Sequence, residues 1–329
     1  MQRRERLELT IAGEKPDRIP VALWRHFPGD DQRAADFVRA LIVFQEQWDF
    51  DFVKVTPANT SPVVDYGLGE QWLGALDGSR KIQRRVVNRS LDWTELRRIE
   101  AHRGVYGQQI ETLQRLVEHF AGSVPVFFDI ASPLAQAEML AGRELVLQNM
   151  RTRPERLKTG LNIITENTLR FIDGLRAAGI DGIFYQMKLA AHSVMSEAEY
   201  QDVGCPYDQK LLGALPDSWW LNAVFVGGKS PMLGLASQYP VQVLGWEDRT
   251  SNISLADGKT GFGGAVCGGL GRWNPMHYGM PGEVRDQALD AIEQTYGRRF
   301  ILSTAAPLII TSPQANIRSA RQVVEDMAR

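Results

Sequence analysis

The chain has 329 residues, 44% of them hydrophobic and 23% charged, with a formal net charge of -2. That balance argues against nucleic acid as the main partner, which usually shows as a basic domain, and it leaves enough apolar residues for a sizeable core. No stretch approaches the ~20 uninterrupted apolar residues of a membrane span, and the basic start Met1-Gln2-Arg3-Arg4 has no apolar segment behind it, so no membrane association and a cytoplasmic location are expected.

In chain order, short apolar runs alternate with helical patterns. The runs cover residues 19–24, 50–55, 124–130, 182–185, 220–226, 241–246, 265–267 and 300–303. Each is continuous rather than alternating, as parallel strands covered on both faces require. Residues 33–48 place Phe37, Leu41, Phe44 and Trp48 at three- and four-residue spacing, which predicts a helix. Residues 105–120, 157–178 and 281–296 repeat the pattern, the last opening on Pro281 and followed by Gly297. No linker, low-complexity tract or charge block divides the chain, so residues 1–329 are read as one domain of the α/β class, a (β/α)8 TIM barrel. One segment breaks the rhythm: residues 71–93 carry Asp77-Gly78 beside an alternating stretch (Lys81, Ile82, Arg84, Val86), predicting a β-hairpin excursion after the second strand. Its arginines (Arg80, Arg84, Arg85, Arg89) are read either as a solvated face or as guides for an anionic substrate.

In such a barrel, function belongs at the carboxyl ends of the strands. The first ends in Trp24-Arg25-His26, where a guanidinium suits bidentate capture of a carboxylate or phosphate and an imidazole suits proton transfer near neutral pH. The second carries Lys54 and Thr56, the third ends at Asp129, and the fourth at Tyr185-Gln186-Met187-Lys188. The sixth ends in Trp246-Glu247-Asp248-Arg249, whose adjacent acids point to opposite sides, so one of them faces the barrel axis. The expected catalytic residues are Arg25, His26, Asp129 and Asp248. Trp24, Lys54, Tyr185, Trp246 and Glu247 are expected to bind substrate. Each has a structural alternative: an ion pair closing the mouth for Arg25, a packed hydrogen-bonded ring for His26, a helix cap for Asp129. The glycine clusters at residues 67–74, 261–264 and 268–269 match no phosphate or dinucleotide fingerprint. Two cysteines, Cys205 and Cys267, make no disulfide framework, and Cys267 is read as a buried, inert thiol. The five histidines lie far apart, none at metal-ligand spacing from a cysteine. Neither a cofactor nor a metal is expected.

Several blocks resemble the uroporphyrinogen decarboxylase superfamily in order along nearly the whole chain. They are Glu14-Lys15-Pro16-Asp17-Arg18-Ile19-Pro20-Val21 leading into Trp24-Arg25, Asp181-Gly182-Ile183-Phe184-Tyr185, and Gly204-Cys205-Pro206-Tyr207-Asp208. Tyr239-Pro240-Val241 through Trp246, Gly268-Gly269-Leu270, Phe300-Ile301-Leu302-Ser303 and Pro313-Gln314-Ala315-Asn316 complete the set. The resemblance implies a (β/α)8 barrel with a deep cleft, a homodimer, and one of two chemistries: cofactor-free decarboxylation of tetrapyrrole acetate groups, or zinc-dependent methyl transfer with a corrinoid protein as partner. The chain departs from both patterns. Where the methyltransferase branch has a His-x-His-Gly or His-x-Cys-Gly block it reads Phe225-Val226-Gly227-Gly228, and where that branch has a late cysteine it reads Ala305-Ala306, so the zinc ligands are absent. Where the decarboxylase has an aspartate after strand two, Lys54 or Thr56 stands. Its tyrosine aligns near Glu138 and its C-terminal histidine is missing, whereas the first-strand arginine carries over as Arg25. The expectation is therefore metal-free decarboxylation of a tetrapyrrole or related polycarboxylate. Arg25 and Lys54 would bind carboxylates, His26 would protonate the ring carbon, and Asp129 or Asp248 would stabilise the pyrrolic cation. Methyl transfer without the usual zinc site and a non-catalytic binding barrel are the alternatives.

Overall fold

In the computed structural model, which describes residues 1–327, seven parallel strands form one curled sheet in the order β1-β4-β5-β6-β7-β8-β9. They are β1 (Val53–Val55), β4 (Val126–Ala131), β5 (Gly182–Met187), β6 (Ala223–Val226), β7 (Val243–Trp246), β8 (Ala265–Gly269) and β9 (Phe300–Ser303). Two further short strands, β2 (Gly69–Gln71) and β3 (Lys81–Arg84), pair antiparallel outside this sheet. Twelve α-helices and three short 3-10 helices complete the order among the described residues; α1 (Arg3–Ala12) is followed by α2 (Ala34–Trp48), α3 (Gly104–Phe120), α4 (Pro133–Ala141), α5 (Arg143–Thr152), α6 (Pro154–Ala178), α7 (Glu197–Val203) and α8 (Cys205–Leu212). The architecture is α/β and TIM-barrel-like: consecutive strands pair in parallel, and helices cover the sheet so that its outer faces are buried. No described helix is long and apolar enough to cross a membrane.

The first apolar run, residues 19–24, is not a continuous strand. It meets its neighbours through isolated parallel bridges, Val21 to Leu302 and Arg25 to Leu308, with Leu302 N donating to Pro20 O on one side and Asp51 N to Val21 O on the other. The cause is chemical. Pro20 has no N–H to offer, and the N–H of Val21 goes to the Asp51 carboxylate at 2.7 Å. Asp51, fully buried, is held in turn by Arg6 and Arg18, each at 2.7 Å. The Pro16-Asp17-Arg18 segment thus closes the amino-terminal end of the sheet through ion pairs. A cavity of about 800 Å³ lies there, and its arginines (Arg3, Arg4, Arg6, Arg18 and Arg321) each face a carboxylate.

Inside the sheet, aromatic rings fill the lower layers. Phe52 meets Phe127 at 5.3 Å and Phe184 at 5.6 Å, and Trp24 meets Phe184 at 5.7 Å between centroids. The Asp77-Gly78 step lies within the connection between β2 and β3 rather than forming a two-residue turn. The loop leans on His26, where a Cβ at Gly78 would come within 2.6 Å of the His26 Cβ at a φ of +76°. Glycine is required there on both counts.

Candidate active site

A cavity of about 360 Å³ opens at the carboxyl ends of the strands. Alternation along each strand decides what enters it. Trp24 and His26 line it from the first segment, Lys54 from β1 and Thr56 just past its end, Asp129 and Ala131 from β4, Gln186 from β5 and Lys188 just past its end, Phe225 from β6 and Gly227 just past its end, and Glu247 from the residue after β7. The strand register agrees: Gln186 lies opposite Phe225, and Phe225 opposite Gly245. Asp77 and Ser79 reach in from the mouth loop, Arg272 from the segment after β8, and Asn59 from the segment after β1.

At the floor, Lys54 Nζ lies 2.6 Å from Asp129 Oδ2, while Gln186 Nε2 donates to Asp129 Oδ1 at 2.6 Å. The ammonium also sits 4.7 Å from the Trp24 ring centroid, so the pair rests on the aromatic layer. Burial lowers the Lys54 pKa, and the Asp129 carboxylate works against that fall. His26 is pulled down to about 4, chiefly by burial, with Lys188 and Lys54 repelling the imidazolium and Asp129 partly offsetting them. The ring is therefore neutral at pH 7. Its Nδ1 and the indole Nε1 of Trp24 are buried without a hydrogen-bond partner among the described residues. Cys267, on the inner face below Lys54, is buried and its thiol is pushed up to about 12 by burial.

Four expected site residues lie elsewhere. The Arg25 guanidinium stacks 4.7 Å from Phe27 and 5.4 Å from Phe44 and donates to Ile310 O at 3.0 Å. Between Trp24 and His26, both of which line the cavity, it projects outward toward α2. Asp248 accepts from Gly269 N at 2.9 Å and pairs with Arg249 at 3.2 Å, so it ties β8 to the β7 end while Glu247 takes the cavity side. The Tyr185 hydroxyl donates to buried Asp208 of α8 at 2.6 Å, outside the sheet. Trp246 is also outside, its indole donating to Ile253 O at 2.9 Å. The mouth-loop arginines serve structure: Arg80 pairs with Asp31 and Glu70, and Arg89 with Asp92. Gln186, Lys188, Asn59, Asp77 and Arg272 are among the lining residues that the sequence does not single out. Gln186 and Lys188 were within its reach, because they share parity along β5 and Tyr185 does not.

The cavity tests the zinc that the methyltransferase branch would bring. Phe225, Gly227, Gly228, Ala305 and Ala306 all line it, and none has a side-chain donor. Among the described residues no three His, Cys, Asp or Glu side chains are grouped to hold a metal ion. The residues present do not fit that metal.

The chain matches the family model described as uroporphyrinogen decarboxylase (URO-D) over residues 74–327. No curated protein sequence matches it. Among solved structures it is similar to a methyltransferase from Methanosarcina mazei, with 17% identity, a TM-score of 0.87 and 100% of each chain covered. It is also similar to a B12-independent methionine synthase from Shewanella sp. W3-18-1, solved in complex with selenomethionine, with 14% identity, a TM-score of 0.56 and 98% of each chain covered. At such identities these likenesses show the fold alone. Matched over most of its length, the chain belongs to the uroporphyrinogen decarboxylase family.

Proposed function

We propose that this chain is a metal-free decarboxylase acting on a small acidic substrate, with Lys54 as proton donor and Asp129 as the group that keeps it charged. The observation that carries the reading is the Lys54–Asp129 pair at 2.6 Å on an aromatic floor. Decarboxylation breaks the bond between carbon and carboxylate, releases carbon dioxide and leaves the electron pair on carbon, within an electron sink that the substrate itself supplies. A proton must then reach that carbon. Neutral His26 has lost its acidic proton, whereas the Lys54 ammonium keeps one to donate, and burial makes it a better acid than a lysine in water. Lysine then regains its proton from solvent. A cavity of about 360 Å³ suits one ring with acidic arms better than a whole tetrapyrrole macrocycle. Its lining charges balance, with Lys54, Lys188 and Arg272 against Asp129, Asp77 and Glu247.

Methyl transfer is the second reading, supported by the full-length fold likeness to the Methanosarcina mazei methyltransferase. A corrinoid protein would then be the partner. Purified protein incubated in deuterium oxide with a panel of aromatic and pyrrole acetic acids separates the two. Release of carbon dioxide with deuterium on the product carbon, lost in Lys54→Met, is expected. Absence of release across the panel, together with demethylation of methylcobalamin in the presence of a thiol, would replace this reading with the second.

A further inference from the structure

We infer that Lys188 determines specificity by holding a second anionic group of the substrate, so that the cleft selects small molecules carrying two acidic groups. This rests on the decarboxylase reading only for which group reacts at Lys54. Three cations line the cavity. Lys54 is paired with Asp129. Arg272 lies 3.7 Å from Glu247, and against the upward push of burial it adds to the Ser79 hydrogen bonds that hold the Asp77 pKa low. Lys188 has no carboxylate within salt-bridge distance among the described residues, and its side chain is exposed to the cavity mouth.

The charges are therefore segregated. On the wall formed by β1, β4 and β5 stand two lysines and one aspartate. Opposite, Asp77 and Glu247 share one arginine. An anion entering the mouth is drawn to the first wall, where Lys188 is the cation it can pair with without displacing a protein carboxylate.

The backbone under Lys188 is fixed while its side chain is free. Met187 O accepts from Gly227 N at 3.2 Å and from Ala190 N at 3.4 Å, Met232 N donates to Ala190 O at 2.9 Å, and Ala191 bridges Pro231. Gly227 permits this close approach, since a Cβ there would lie 3.1 Å from Lys188 Cα. The anchored rim fixes where the Lys188 side chain begins, while the ammonium itself can adjust to the second anionic group of a ligand. The same cation lies near enough to Lys54 and His26 to disfavour their charged forms. The ligand chemistry is a dicarboxylate or a carboxylate joined to a phosphate-like group.

Calorimetric titration of the full chain at low ionic strength with butyrate, glutarate and 3-phosphonopropionate tests this. Glutarate is expected to bind about tenfold more tightly than butyrate, one added charge–charge contact at a partly exposed site. The ratio should collapse to near one in Lys188→Ala and Lys188→Gln, survive in Lys188→Arg, and leave the melting temperature unchanged in all three. Phosphonopropionate binding above glutarate assigns the second group to a phosphate-like anion, and the reverse assigns it to a carboxylate. Equal affinities of glutarate and butyrate for the unaltered chain, no binding of any probe, or a ratio that persists in Lys188→Ala would overturn the inference. A ratio that holds while no acid releases carbon dioxide removes the decarboxylase reading alone. Carbon dioxide release with an unaltered ratio in Lys188→Ala removes this one alone.

Discussion

Asp208 is fully buried in α8, with no cation in salt-bridge distance among the described residues. Its oxygens accept hydrogen bonds from Tyr185 at 2.6 Å, Tyr200 at 2.8 Å and Tyr239 at 3.2 Å. Burial raises its pKa from 3.8 to about 6, and the three phenols oppose the rise without cancelling it. A carboxyl whose pKa is higher in the folded chain binds its proton more tightly there, so it adds stability at low pH that is lost as pH climbs from near 4 through 6. A shift of about two units corresponds to roughly 3 kcal/mol. With an unfolding entropy of ~2.1 cal/mol/K per residue, a chain of this length converts that to about 4 °C in melting temperature. Asp208→Asn cannot ionise, and its amide still accepts from one phenol and donates to another. Scanning calorimetry of the two proteins in matched buffers from pH 4 to pH 7 isolates the effect, because the other carboxylates titrate in both. The melting temperature of Asp208→Asn relative to the unaltered chain should rise by about 4 °C across that window. Neighbouring Cys205, whose thiol burial pushes upward, is silent there. Curves that stay parallel across the window would refute the placement of an unpaired carboxyl among three tyrosines.

Arg25→Met should lower stability by about 1–2 kcal/mol, for a lost half-buried hydrogen bond and ring contact, while leaving glutarate affinity unchanged in the same titration. A large loss of affinity would return Arg25 to the site. Asp129→Asn removes the anion that sustains the Lys54 proton, so the alkaline limb of the pH–rate profile should move to lower pH as turnover falls; an unmoved limb would take Lys54 out of the proton-donor role. Cys267 should resist a thiol reagent at pH 8 in the native chain and react after unfolding, since its thiol is buried and pushed up to about 12.

Much of the fold was legible in the apolar runs, because parallel strands buried on both faces need them continuous. Seven of the eight runs are strands of the sheet. The remaining run, residues 19–24, was misread for a reason the pattern does not carry: Asp51, distant in sequence until the chain folds, takes the Val21 N–H that a strand would have shared. The site was half legible. Strand ends led to Trp24, His26, Lys54, Asp129 and Glu247, all of which line the cavity. They led equally to Arg25, Tyr185, Trp246 and Asp248, which do not.

The distinction is one of parity. In a strand, neighbours in sequence face opposite sides, so local sequence names both residues of a pair and register against the next strand names the inner one. Apolar continuity, composition and strand order were properties of the chain alone, set by burial and backbone geometry. Which side chains share the cavity, that Lys54 meets Asp129, and that Lys188 has no carboxylate partner among the described residues were decided by tertiary structure, because charge pairing depends on distances between segments that the sequence leaves far apart.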